Sequence, residues 1–412
     1  MRRSTGLSAF LLLSSALPAV AQQNQMPSIL SVGISCSDAE SYAEDYPEKA
    51  KSAGAQTLLG LAADTCTLPV EDITPAQAED VLGDKRIAWE MGDETLTLYA
   101  RSEETPIVCC SLHSPDWTSL SADDLWATRL RIKNLKQSML HLFVMGDEDE
   151  TELSWRGPDA PAALPFTENP DMPLEGTLLE ETLHSPQLNE TRKLSIYLPP
   201  DHDPSGEWPV LVLGDGASAD YYGRLVEERT LSGEVTPFVI IGLQSGSDAI
   251  VDEKTFNFDV RSSDYLPEYR DAPERFDAHL AWVTETVLPW AREQFGITEK
   301  TNETVVAGKS SGGVFALHAG LRRPDVFGQA IVMSPGGWPL ETTPDTGGKK
   351  ARFLISAGTY EPAFYYSADA AVRTLEEADY DVSFRPFHAG HYIDQWDIAL
   401  HDALAETFPP GE

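Results

Sequence analysis

The pentapeptide Gly308-Lys309-Ser310-Ser311-Gly312 constrains this chain more than any other stretch. It follows a short apolar run, Thr304 to Ala307, that reads as a buried strand. It precedes Gly313 to Arg323, which has helical composition and stops at Pro324. A G-x-S-x-G between strand and helix is a sharp, strained turn. Its glycines let two backbones approach, and the serine hydroxyl is lifted above the sheet edge.

The residues around this turn share its character. Leu194–Leu198, Val210–Leu213, Phe238–Leu243, Ala330–Met333, Phe353–Ala357 and Val382–Phe387 are short runs which, with Thr304–Ala307, predict seven strands. Continuous apolar runs suit strands buried on both faces of a mostly parallel sheet. Arg275–Phe295 and Gly313–Arg323 supply helices between them, so the order is βαβα and the class α/β.

Upstream the pattern changes. Pro158, Pro161, Pro165, Pro170 and Pro173 make residues 157–176 a stiff linker, with the α/β domain expected at 177–412. Before it, Thr95–Ala100, Ile107–Leu112, Thr128–Ile132 and Ser138–Met145 have strand patterning at the spacing of a small β-sandwich, assigned to residues 86–156. Residues 22–85 are read as an extension with short helices, one opened by Thr74-Pro75 and closed by Gly83. No catalytic constellation is visible in this half.

Residues 1–21 read as a secretory signal: Arg2 and Arg3, an apolar run from Leu7 to Val20, and Ala19-Val20-Ala21 before Gln22. An exported protein, periplasmic or secreted, is expected, with no membrane association after cleavage. The 66 acidic against 30 basic residues give a formal charge of -36, which excludes nucleic acid as a natural partner because phosphate binding needs clustered cations. Of the four cysteines, Cys36 and Cys66 are free to bridge, whereas Cys109 and Cys110 are strand neighbours expected to point to opposite faces. No spacing suits zinc, and no cofactor or metal is expected.

A serine hydroxyl needs a base within hydrogen-bond reach and a carboxylate to fix that base's tautomer. Ser310 is the candidate nucleophile. His388, His391 and His401 follow it, and His391, in Gly390-His391-Tyr392 just past the last predicted strand, is best placed as base. Glu361 is the first carboxylate after strand Phe353–Ala357. Asp369, the alternative acid, falls in a helix. For the oxyanion hole, the Ser311 N–H at the helix start is one donor, and Gly216 or Ala217, in the glycine-rich loop after Val210–Leu213, is the other.

These residues resemble the enterochelin esterase and esterase D-like branch of the α/β hydrolases. The likeness is carried by His184-Ser185-Pro186, Leu194 to Pro200, Asp215-Gly216 and Arg261-Ser262-Ser263-Asp264-Tyr265-Leu266-Pro267. It continues through the Gly308 turn, Ser334-Pro335, and Gly390-His391 with Trp396. Lys309 and Ser311 depart from the family's usual residues in the turn. The resemblance implies an α/β-hydrolase fold preceded by an immunoglobulin-like β-sandwich, and a Ser310, Glu361, His391 triad. It also implies a substrate pocket lined by Trp338. Arg261 is a candidate cation for an anionic substrate, and Tyr221 with Tyr222 a candidate apolar platform. The function implied is a serine carboxylic-ester hydrolase acting on a siderophore trilactone, or on feruloyl or acetyl esters of plant polysaccharides. A non-catalytic binding protein on the same fold is the reading of another class.

Overall fold

The computed structural model describes residues 35–38, 61, 64–112, 115–121, 124–146, 149–165, 173–216, 219–244, 258–267, 269, 273–336, 340, 343 and 348–410. The signal-peptide reading of residues 1–21, Ala217 and Trp338 lie outside these. The chain divides into two compact units. One comprises Met1–Pro161, Gly358–Tyr366 and Phe387–Gln395. The other comprises Ala162–Ala357, Ser367–Pro386 and Trp396–Glu412.

The first unit is built on two antiparallel sheets. One contains β1 (Thr65–Leu68), β2 (Ile87–Met91), β3 (Thr95–Arg101), β5 (Thr118–Ser119) and β6 (Leu125–Ile132). The other has the order β4 (Ile107–Cys110), β7 (Met139–Gly146), β8 (Asp149–Arg156). Alternate side chains of both sheets interdigitate in one core: Leu96, Leu98 and Leu130 from the first, Val108, Leu142, Val144 and Leu153 from the second. The two sheets thus form a sandwich. Tyr360, from far along the chain, is a member of the same core.

Beside the first sheet lies helix α1 (Pro75–Leu82). The Thr74 hydroxyl accepts from the Gln77 N–H while the Gln77 side chain returns a bond to the Thr74 N–H, and Gly83 ends the helix at φ 53°. The segment 22–85, read as an extension, also contributes β1, which pairs with β6 and is tied to Cys36 through a Cys36–Cys66 disulfide. Cys109, in β4, is also disulfide-bonded.

The second unit is an eight-stranded sheet. Its strands are β9 (Thr177–Ser185), β10 (Glu190–Leu198), β11 (Val210–Gly214), β12 (Val239–Leu243), β13 (Thr304–Lys309), β14 (Gln329–Met333), β15 (Arg352–Gly358) and β16 (Val382–Phe387). The order is β16-β15-β14-β13-β11-β12-β10-β9. From β12 through β11, β13 and β14 to β15 the pairing is parallel, and β10 and β9 close the far edge antiparallel. The cause is legible in β11 and β12, which are buried at every position, as a sheet covered on both faces requires. Helices α2 (Ala219–Leu231), α3 (Phe258–Tyr265), α4 (Pro273–Trp282), α5 (Leu288–Phe295), α6 (Ser311–Arg322), α7 (Pro362–Glu377) and α8 (Ile393–Thr407) complete the elements.

Three differences from the sequence reading have simple reasons. β9 was not anticipated because it is an edge strand that is mostly exposed, so glutamates interrupt its apolar pattern. β8 begins in the acidic stretch around Asp149 to Glu152, where charge on the solvent face masks the buried Leu153. The predicted helix 275–295 runs through in helical backbone but carries a π-helical turn at Val283–Val287 between α4 and α5, close before Pro289, whose ring nitrogen cannot donate to the regular ladder.

Candidate active site

Strand β13 delivers the chain to the turn at Ser310. Ser310 adopts φ 56° and ψ −126°, a conformation that L-residues rarely hold and that costs on the order of 1–3 kcal/mol. The surroundings enforce it. The Ser310 N–H donates to the Met333 carbonyl at 3.0 Å, and its carbonyl accepts from the Val314 N–H at 3.1 Å, beginning α6. A Cβ on Gly308 would lie 2.2 Å from the Gly312 carbonyl oxygen, and one on Gly313 would lie 2.6 Å from that of Met333. Glycine is therefore a steric requirement at both places. As the first residue of α6, Ser311 has an N–H with no acceptor inside the helix, at the positive end of its dipole.

The loop after β11 lies against this turn. A Cβ on Gly312 would approach Asp215 Oδ2 to 3.1 Å. Asp215 itself sits at φ 59° and is held from two sides. Its N–H donates to Tyr265 Oη at 3.0 Å, and its carboxylate accepts both Nε and Nη2 of Arg261, the Nε contact at 2.8 Å. Gly216 follows, so close to β12 that a Cβ on Gly242 would fall 1.8 Å from the Gly216 oxygen. Backbone rigidity in this loop is what an oxyanion donor requires.

Arg261 is thus buried and matched to Asp215 instead of facing outward as a substrate cation. Its neighbours Asp264 and Tyr265 do related work. Asp264, fully buried, receives Arg192 Nη1 at 2.7 Å and Arg275 Nε at 2.8 Å. Burial opposes its ionisation, but the facing His279 and the guanidinium groups of Arg192 and Arg275 hold its carboxyl below the usual range. Arg261 and Tyr265, noted in the sequence only as part of a likeness, clamp the β11 loop, while Asp264 between them ties Arg192 to Arg275.

Other candidates are committed to local partners. Tyr222 is 5% exposed, too buried to serve as an open apolar platform. Its ring and that of Trp396 flank the Lys309 ammonium, at 5.5 and 5.2 Å from the ring centres. Tyr221 Oη donates to Asp397. Trp396 Nε1–H donates to Ser334 Oγ at 2.8 Å.

The acid and base candidates come together in the loops that follow β15 and β16. Phe353 N–H donates to the Asp381 carbonyl and Thr359 N–H to that of Phe387, so these strands run parallel and their loops leave in the same direction. His391 Nδ1 lies 2.5 Å from Glu361 Oε2. Glu361 is 3% exposed, and its other oxygen accepts the Gly358 N–H at 2.6 Å and Gln395 Nε2–H at 2.8 Å. Gln395 also donates to the Gly390 carbonyl, and the Phe364 ring stacks on the imidazole at 3.8 Å. With Oε1 already accepting two N–H groups, Oε2 accepts a hydrogen bond from Nδ1–H, which leaves Nε2 as the basic nitrogen.

The alternatives are placed elsewhere. His388 Nδ1 faces Thr359 Oγ1 at 3.4 Å, and burial lowers its pKa. His401 lies in α8 beside Asp402, and Asp369 lies within α7, paired with Arg373. Sequence reasoning missed Gln395 and Phe364, for which no local pattern exists. Among the described residues no group of three or more His, Cys, Asp or Glu side chains could hold a metal ion, and no helix is long and apolar enough to cross a membrane.

The chain is similar to known proteins in sequence and in fold. The family described as "Putative esterase" matches residues 185–349. The uncharacterized protein YjcH of Bacillus subtilis is 29% identical over 251 residues, 56% of this chain and 98% of its own. The iron(III) enterobactin esterase of Escherichia coli O6:H1 is 29% identical over 155 residues, 34% of this chain, and the match spans only 38% of that relative's length. In three dimensions the ferric enterobactin esterase of Salmonella typhimurium superposes with a TM-score of 0.58 at 18% identity, over 78% of this chain and 96% of its own. That likeness establishes a shared α/β-hydrolase fold. A family match that spans the Ser310 turn, together with sequence similarity to enterobactin esterases, identifies residues 185–349 as an esterase domain similar to those of the enterochelin esterases.

Proposed function

We propose that the chain is an exported serine esterase that works through an acyl-enzyme on Ser310, with His391 as base and Glu361 as the carboxylate that orients it. The observation that carries this is the strained Ser310 at φ 56° between β13 and α6, the strand–turn–helix setting in which a nucleophile elbow lifts its serine hydroxyl. His391 Nε2 accepts the hydroxyl proton as Ser310 Oγ bonds to the ester carbonyl carbon. The oxyanion is taken up by the Ser311 N–H and a second N–H from Gly216 or Ala217. Collapse breaks the ester C–O bond, and the alcohol leaves with the proton from imidazolium. Water, activated by the same imidazole, then releases the acid and frees Ser310.

As substrate we propose a siderophore trilactone, hydrolysed outside the cytoplasm. The similarity to iron(III) enterobactin esterases supports it, and the Cys36–Cys66 disulfide fits an oxidising compartment. A second reading, a neutral feruloyl or acetyl ester of a polysaccharide, is favoured by the pairing of Arg261 with Asp215, which cancels a cation that an anionic ferric siderophore would use. A comparison of kcat/KM on a ferric trilactone siderophore, methyl ferulate and acetylated xylan decides between them. A hundredfold advantage for either neutral ester, about 2.7 kcal/mol in transition-state binding, removes the siderophore reading. Export is tested separately: the mature N-terminus recovered from the periplasm of an expressing bacterium should lie near Gln22.

A further inference from the structure

The loops that carry Glu361 and His391 belong to the same compact unit as the β-sandwich. The contacts are specific and begin one residue from each candidate catalytic side chain. Tyr360, next to Glu361, is 3% exposed in the sandwich core. Its hydroxyl donates to the Lys133 carbonyl at 2.8 Å and shares a 2.5 Å bond with Ser138 Oγ. Tyr392, next to His391, lies flat on the His141 ring of β7, with centres 4.0 Å apart and planes at 11°, and edge-on to Phe143.

Between these two anchors the backbone is stitched as well. Met139 N–H donates to the His388 carbonyl and Tyr360 N–H to that of Ala389, each at 2.9 Å. Gly390 presses so closely on the end of β4 that a Cβ there would fall 1.7 Å from the Ser111 oxygen.

We propose that the β-sandwich sets the position of the acid–base pair, with Tyr360 and Tyr392 as positioning residues that act through Glu361 and His391. The proposal rests on the triad reading above. It gives the N-terminal half a role in catalysis, although that half supplies no reacting group. Misplacing a catalytic group by about 1 Å can cost about a hundredfold in rate, so loss of one anchor should appear in kcat and leave substrate affinity largely alone.

The test uses the full chain with p-nitrophenyl acetate and a fluorophosphonate probe. Tyr392→Ala should lower kcat and the rate of probe labelling roughly ten- to a hundredfold, with KM changed by less than about twofold. Labelling should still run to one adduct per chain. Tyr392→Phe, which keeps the stacked ring, should restore both rates, and Tyr360→Phe, which loses the two hydroxyl bonds, should show the kcat defect in milder form. Unchanged kcat in Tyr392→Ala, or a loss matched by an equal fall in the labelled fraction, overturns the positioning role. Ser310→Ala and His391→Ala tell the two ideas apart: if either retains activity, the triad itself fails and the positioning role falls with it.

Discussion

Replacing Glu361 by Gln tests the site's hydrogen-bond logic because the carboxylate's two oxygens have different partners. Oε1 accepts two N–H groups, from Gly358 at 2.6 Å and Gln395 at 2.8 Å, while Oε2 faces His391 Nδ1 at 2.5 Å. A glutamine side chain has one oxygen and one NH2. Turning the NH2 toward Gly358 and Gln395 would set donors against donors in a buried place, at about 1–3 kcal/mol for each group left unpaired. The amide oxygen therefore takes the Oε1 position, and the NH2 faces His391. Nδ1 must then accept, the ring proton moves to Nε2, and the nitrogen that should deprotonate Ser310 is blocked. Fixing the wrong tautomer costs about four orders of magnitude in kcat in a comparable triad, or about 5.5 kcal/mol. The assay is steady-state hydrolysis of p-nitrophenyl acetate, with KM measured alongside. A Glu361→Gln enzyme within tenfold of the parent in kcat would refute both the acid assignment and the orientation argument.

Further outcomes follow from packing and charge. Gly308→Ala places a methyl 2.2 Å from the Gly312 oxygen, so the Ser310 turn must shift and kcat should fall at least about a hundredfold; normal kinetics would show that the turn's geometry does not govern the rate. His279 is buried and His318 half-buried, and desolvation lowers both pKa values to about 4. Their folded pKa values lie below the unfolded 6.5, so stability is full above pH 6.5 and declines as pH falls toward 4, by up to about 1.4 kcal/mol per histidine for each pH step of one. Thermal unfolding across that window should show the decline, and a flat Tm would count against it. Opening the Cys36–Cys66 bridge, whose partners are 30 residues apart, should cost about 3.5 kcal/mol by loop entropy. Cys66→Ser should lower the Tm of the first unit by roughly 10 °C, and an unchanged Tm would contradict that cost.

What the sequence disclosed and what it hid divide along the range of the interactions. The turn at Ser310 was legible because its constraints are local: strand, glycines and helix follow one another within a few residues. The buried strands β11 to β15 were legible because a sheet covered on both faces demands uninterrupted apolar runs. Glu361 and His391 are singled out in the sequence by their place after later strands, and the structure pairs them. Gln395, Phe364 and the clamp from Arg261 to Asp215 were not, since each depends on a contact across tens of residues with no periodic trace. The same holds for Tyr360, whose partners Lys133 and Ser138 lie more than two hundred residues earlier. Edge strand β9 and the acidic β8 were hidden because solvent-facing charge interrupts the period-2 pattern.

The claim on which the rest depends is that Ser310 is an activated nucleophile, and covalent labelling with mass-spectrometric mapping tests it most directly. A fluorophosphonate should form one adduct per chain, on the peptide that contains Gly308 to Gly312, and ester hydrolysis should disappear in proportion to labelling. Ser310→Ala should take up no label. Full hydrolytic activity without an adduct at Ser310, or a fold that neither labels nor hydrolyses any ester, would contradict the mechanism, and the second result would point to a binding protein on a hydrolase fold.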